Sequence, residues 1–316
     1  MAAQKPKASV LQDACKKITT VLKKRYSGRV PKQDLPVMET LLFSICLENS
    51  NYAEAEAAYK RLTSEFQDFN EIRVSSISEL EPIFSGMSEP EVRAYYVRSV
   101  LQFIFEQNYA FDFESLRRNT LDQATKLLNK INPLSLFVKS FSLQNVLGSH
   151  LVPVDRRVLD ATIWLGLAGP KADYKAAAAA LKSGVKKNDV PLFAYLMRCL
   201  SCDPALIPLF DLEEYPPPKD GYNPNEVAGR LPELFIESTK KRRKKKVVKK
   251  VEKKKTAANK KTPQKKVKKK PAAKKTTAKK AAAKTKKPAA TKKKTVKKKT
   301  VKRPTTKKTA KKKKKK

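Results

Sequence analysis

The side chains able to do chemistry are few and far apart in this sequence. Asp155 stands in Val152-Pro153-Val154-Asp155-Arg156-Arg157-Val158, where an apolar segment gives way to a helical pattern. A carboxylate there can activate water or stabilise a developing positive charge. It is equally an ordinary helix N-cap, a bond that contributes about 1 kcal/mol. The two roles are compatible, because a cap holds its carboxylate at the positive end of a helix. Glu48, Glu89 and Glu91 read as surface or cap residues rather than as a catalytic pair. His150, the one histidine, falls in the loop Gly148–Val152 and reads as solvated. Cys199 and Cys202 form a Cys-x-x-Cys with no second pair or histidine after it, which is too little for a zinc site. With Cys15 and Cys46 they are too few and too irregular for a disulfide scaffold. Eight glycines leave little room for a phosphate-cradling loop or a nucleophile elbow. No cofactor is expected.

Apolar residues recur at helical spacing almost throughout residues 1–219, and no clean period-two strand appears. Ser9–Tyr26 puts Val10, Ala14, Ile18 and Leu22 on one face. Pro36–Leu47 (PVMETLLFSICL) is apolar nearly all round, so it should be a central buried helix, with Asp34 as its cap. Tyr52–Phe66 is Ala-rich and amphipathic. A shorter helix should start at Ser78 and end near Gly86. Ser88–Glu106 opens on a Ser-x-x-Glu capping box formed by Ser88 and Glu91. Thr120–Ile131, Pro133–Leu147, Asp155–Gly166, Asp173–Lys186 and Val190–Cys202 complete the set, with Thr120 capping the first of these. Tyr95 and Tyr96 read as core and partial surface, and Trp164 as core. About ten helices with short links predict an all-α fold over residues 1–219, with Pro216–Pro218 closing it and residues 220–239 as a polar linker.

Charge divides the chain sharply. It carries 71 Lys and Arg against 30 Asp and Glu, and 42 of the basic residues with one acid, Glu252, lie from Lys240 onward. Residues 1–239 keep 29 of each and no net charge. The segment 240–316 has no aromatic residue, and Pro263, Pro271, Pro288 and Pro304 interrupt it. Such a composition cannot bury enough surface to offset chain entropy, so it should be a disordered polycation. It resembles the carboxy-terminal tails of linker histones and of bacterial histone-like proteins, and its expected partner is the phosphate backbone of DNA. Lys240, Lys241, Arg242, Arg243, Lys244, Lys245 and Lys246 open it and are expected to bind DNA, though KKRRKKK also fits a targeting address. No amphipathic apolar face or lipidation motif suggests a membrane. With no apolar signal segment after MAAQKPKASV, the protein is expected in the cytoplasm on the nucleoid, or in a nucleus.

Three stretches of the neutral part resemble the helix-hairpin-helix DNA glycosylases of the endonuclease III type. Leu41–Asn49 (LLFSICLEN) is similar to the buried family helix whose terminal amide fills the gap left by an extruded base; Asn49 stands there. Leu80–Met87 (LEPIFSGM) and the helix after it, with Arg93, Tyr95, Tyr96 and Arg98, repeat the family order of helix, glycine, helix. The Val154-Asp155 pair is similar to the family's Val-Asp, whose aspartate is catalytic. The resemblance implies a two-lobed helical fold, a pocket between the lobes, Asp155 as catalytic acid, and Asn49, Lys139, Arg156 and Arg157 at the DNA.

Departures from that pattern refine the expectation. The glycine-rich family hairpin, which approaches a DNA phosphate, is replaced by Ile131-Asn132-Pro133-Leu134-Ser135. Phe137 occupies the place of the lyase lysine, and Lys139, two residues on, points elsewhere on a helix. Two cysteines stand where an iron–sulfur loop needs four. The implied activity is therefore monofunctional base removal in base-excision repair, with water attacking the sugar. The alternative is a non-enzymatic, histone-like architectural protein of chromatin or the nucleoid.

Overall fold

A computed structural model describes residues 7–32 and 34–239. The chain divides into two units, Met1–Lys261 and Thr262–Lys316, and every described residue belongs to the first. The tail, including Lys240 to Lys246, lies outside the described residues. Among them there is no strand, and no helix is long and apolar enough to cross a membrane. The fold is all-α.

The helices are α1 (Ala8–Arg25), α2 (Val37–Leu47), α3 (Tyr52–Ser64), α4 (Phe69–Val74), α5 (Ile77–Leu80) and α6 (Pro90–Asn108). They continue with α7 (Leu121–Lys130), α8 (Leu136–Leu147), α9 (Arg156–Trp164), α10 (Tyr174–Gly184), α11 (Val190–Ser201) and α12 (227–239). Two apolar cores divide them. The first is built from α2 to α8. The second joins α9, α10, α11 and α12 to α1, which crosses from the start of the chain to pack on α10 and α11. The lobes are thus linked twice, before α2 and between α8 and α9.

Helix α2 organises the first lobe. Every residue in it except Glu39 is buried, as its all-round apolar pattern predicts. A helix buried on all sides has no water for its end groups, so protein groups must satisfy them. At the N-terminus the partner is distant: Glu114 Oε1 accepts from Val37 N–H at 2.6 Å. Asp34, expected to cap α2, does not; Pro36 occupies the cap position without a side-chain bond. At the C-terminus, the buried Arg93 of α6 donates to the carbonyls of Ile45, Cys46 and Glu48.

Several local expectations are met and several are revised. Asp155 and Thr120 cap α9 and α7 through their side chains as expected, and Ser135, which was not expected to, caps α8. The short helix after α4 is capped by Ser76 in a box with Glu79, two residues before the expected start. Gly86 closes that turn at a φ of 83°, a conformation that glycine adopts without strain. The capping box from Ser88 to Glu91 does not form. Glu89 takes the cap position at a φ of 50°, and Ser88 instead accepts from Arg93 through its carbonyl at 2.7 Å and its hydroxyl at 3.1 Å. His150 is half-buried rather than merely solvated, with Nε2 2.7 Å from the Val185 carbonyl. Trp164 is half-buried, edge-on to Phe210 and beside the Arg230 guanidinium.

The largest revision falls on residues 220–239. Expected as a polar linker, they hold α12, which buries Val227, Leu231 and Leu234 in the second core. Its apolar spacing, four residues and then three, is masked by the polar composition around it. Close approach of α1 and α10 depends on Gly184, where a Cβ would lie 2.8 Å from Cys15 Sγ and 3.3 Å from the Leu11 carbonyl oxygen.

Candidate active-site cleft

A cleft of about 560 Å³ opens between the lobes. The first lobe contributes Glu48 and Asn49 from the end of α2, Ser88 and Glu89 from the entry to α6, and Ser135, Leu136 and Phe137 from the start of α8. The second lobe contributes Val154, Asp155, Arg156 and Arg157 from the start of α9, and Tyr174 from the start of α10. Helix N-termini therefore face the cleft from α8, α9 and α10, which favours negative charge there.

Asp155 is 2% exposed and fully engaged. Oδ1 accepts from Val158 N–H at 2.9 Å, the capping bond of α9. Oδ2 accepts from Asn49 N–H at 2.6 Å and from the Arg198 guanidinium in a buried ion pair. Three donors on one carboxylate hold it in a single orientation. Arg198 rises from α11, lies 4.6 Å from the Phe137 ring centroid, and also donates to Cys202 Sγ at 3.7 Å. Burial pulls its guanidinium down, but Asp155 and Cys202 more than reverse that, and it is held above the ordinary arginine range.

Asn49 follows the last turn of α2 with a φ of 52°, in the left-handed region. The main chain turns there between two buried groups. Arg93 holds the Glu48 carbonyl on one side, and Asp155 holds the Asn49 amide on the other. The Asn49 side-chain oxygen accepts from Arg157 N–H at 3.5 Å, so both ends of Asn49 reach the first turn of α9.

Glu48 is half-buried against the same wall. Burial pushes its carboxyl up to about 7. The Ser135 hydroxyl, Arg93 and Arg198 pull it down, and the nearby Asp155 charge pushes it further up. Neither Arg198 nor a titratable Glu48 was foreseen from the sequence. For Arg198 the signal was available: it is a lone cation within Phe193–Leu200, an otherwise apolar helical run, and such a charge needs a buried partner.

The remaining expected site residues fall unevenly. Arg157 lines the cleft, half-buried. Arg156 is exposed at the rim, with its guanidinium paired to Asp160 at 3.0 Å. Phe137 is buried, at the position where the resemblance would place a lyase lysine. Lys139 does not line the cleft, and partial burial pulls its ammonium down. Among the described residues no cluster of three or more His, Cys, Asp or Glu is arranged to hold a metal ion. Cys199 and Cys202 are free thiols, half-buried and buried.

No family model matches the chain, and no curated protein matches it. Among solved structures it is similar to endonuclease III in a trapped covalent intermediate with DNA, an estranged-adenine complex, and to endonuclease III in a non-covalent DNA complex. Each is 12% identical with a TM-score of 0.47, over 62% of this chain and 86% of the other.

Proposed function

We propose that this protein binds DNA and removes a damaged base by hydrolysis in the cleft between its lobes, as a monofunctional glycosylase. One observation carries the reading. Leu41–Asn49 and Val152–Val158, more than a hundred residues apart, meet at the cleft through the bond from Asn49 N–H to Asp155 Oδ2. In this reading the Asp155 carboxylate stabilises the cationic sugar that forms as the base departs. Asn49 stands beside the extruded nucleotide, and Arg157 contacts the backbone. Water is the nucleophile, because Phe137 offers no amine. The polycation from Lys240 onward holds the protein on DNA without regard to sequence.

A second reading has its own support. The Arg198 ion pair offsets the Asp155 charge, an arrangement that also suits a purely structural cap. The protein would then be an architectural DNA-binding protein that keeps the two-lobed scaffold without its chemistry.

Base release from duplexes carrying a broad panel of damaged bases separates the two. The glycosylase reading expects a free base, an intact abasic strand, and no borohydride-trapped adduct with residues 1–239. It also expects Asp155→Asn to abolish release while DNA affinity stays nearly unchanged, with folding checked because Arg198 loses its partner. No release from any duplex leaves the architectural reading. Binding itself is tested by removing the tail. The log of the full chain's association constant should fall by about 0.9 per phosphate contact for each log unit of salt. Residues 1–239 should bind far more weakly at physiological salt, and equal affinity would refute the role given to the tail.

A further inference from the structure

The carboxylates in the cleft are not equivalent. Asp155 is occupied by three donors. Glu89 lies at an exposed edge. Glu48 sits half-buried in the wall, and its main chain is held in place on both sides. Ser135 lines the same cleft and accepts from Val138 N–H at 3.1 Å, which leaves its O–H available to a neighbouring carboxylate, and its hydroxyl favours the charged form of Glu48. A carboxyl fixed by its backbone, lining a cleft roomy enough for a nucleobase and holding few donors, is placed to exchange a proton with a bound molecule.

We propose that Glu48 is a catalytic residue of this cleft, a general acid and base that passes one proton between the departing nucleobase and the attacking water. The inference rests on the glycosylase reading and adds a residue to it. As the bond from the sugar anomeric carbon to the base nitrogen breaks, its electron pair leaves with the base. The protonated Glu48 carboxyl donates its proton to that base. Water then adds its oxygen to the cationic carbon and gives one proton to the Glu48 carboxylate, which restores the acid. The sum is one water consumed, one neutral base and one abasic sugar formed, with no oxidant, reductant or metal required. Asp155 supplies the fixed negative charge during the step, and Glu48 supplies the mobile proton.

The setting suits a proton donor near neutral pH. Groups that face Glu48 are Arg93 and Tyr96 from α6, Glu89 before it, Asp155 from α9, Tyr174 from α10 and Arg198 from α11. Burial first, then the Asp155 charge, keeps the carboxyl up near 7, against the pull of Ser135 and the two arginines. Asn49 and Glu89, two of the few non-glycine residues with positive φ, flank the same cavity. Strained main chain of this kind collects at functional sites.

The test is single-turnover base release by the full chain across pH. Wild type should lose rate about tenfold per pH unit above roughly pH 7, as the donor deprotonates. Glu48→Gln should slow release by about 10² to 10⁴-fold and flatten that limb, with affinity for abasic product DNA unchanged. Ser135→Ala removes a group that favours the carboxylate and should move the limb to higher pH. Release by Glu48→Gln at the wild-type rate, with the limb intact, overturns the role of Glu48 and leaves the glycosylase reading standing. Failure of wild type to release any base overturns both. If Glu48→Gln does not fold, the wild-type limb decides: its absence, or no movement in Ser135→Ala, sinks the proposal.

Discussion

The two walls of the cleft each present a carboxylate, and they treat it in opposite ways. On the second lobe, Asp155 meets two backbone amides and a guanidinium, and is almost wholly buried. On the first lobe, Glu48 is half-buried beside the Ser135 hydroxyl, while the buried Arg93 directs its donors to main-chain carbonyls and the Ser88 hydroxyl. Each lobe buries one arginine at the cleft. Arg198 neutralises a side chain and Arg93 neutralises a helix end. The difference teaches that buried positive charge does not by itself fix a carboxylate's protonation. What counts is whether the guanidinium reaches the carboxylate or the carbonyls beside it.

Removing the donor from the saturated wall should have the largest effect on folding. Arg198→Met leaves Asp155 buried without its counter-charge, which should cost about 3–5 kcal/mol in urea unfolding. Adding Asp155→Asn in the same chain should recover most of that loss, since the amide oxygen can still cap α9. Strict additivity of the two changes would show that the ion pair couples nothing.

The unsaturated wall should respond with the opposite sign. Glu48 in the folded protein holds its proton up to about 7, above the usual carboxylate range, so it favours the fold below about pH 4.5. That contribution is lost as pH rises through 7, where the folded state must bury a charge. Glu48→Gln should therefore be about 2 kcal/mol more stable than wild type at pH 8 and no more stable at pH 4, after discounting for partial exposure. Equal melting curves for the two proteins at pH 8 would place Glu48 in water.

The smallest effect concerns the main chain around the two walls. Glu89 holds a φ of 50° at the start of α6 without a side-chain capping bond. Glu89→Gly should gain about 1 kcal/mol by relieving the left-handed conformation. A loss of stability would mean that the Glu89 side chain contributes more than its strain costs.

Much of this architecture is written locally in the chain. The all-round apolar run Val37–Leu47 reads as a buried helix because no face of it tolerates water. Asp155 and Thr120 read as caps because a short acceptor directly before a helical run has a free amide to meet. The change in charge at residue 239 follows from counting alone, while the residues beyond it lie outside those described. Helix α12 was missed because its apolar residues are diluted by Arg230, Glu233 and Glu237, and only a second core, once assembled, gives Val227, Leu231 and Leu234 something to bury against.

The sequence alone determined most of the helical stretches (though not α4 or α12), where a carboxylate must cap one of them, and that the excess charge lies beyond residue 239. Those properties depend on neighbours within a few turns of chain. Only the tertiary structure decided that Glu114 caps α2 across 77 positions, that Arg198 meets Asp155 across 43, and that Arg93 serves carbonyls instead of Glu48. A charge takes its state from whatever surrounds it in space, and for Asp155 and Glu48 those surroundings come from both lobes at once.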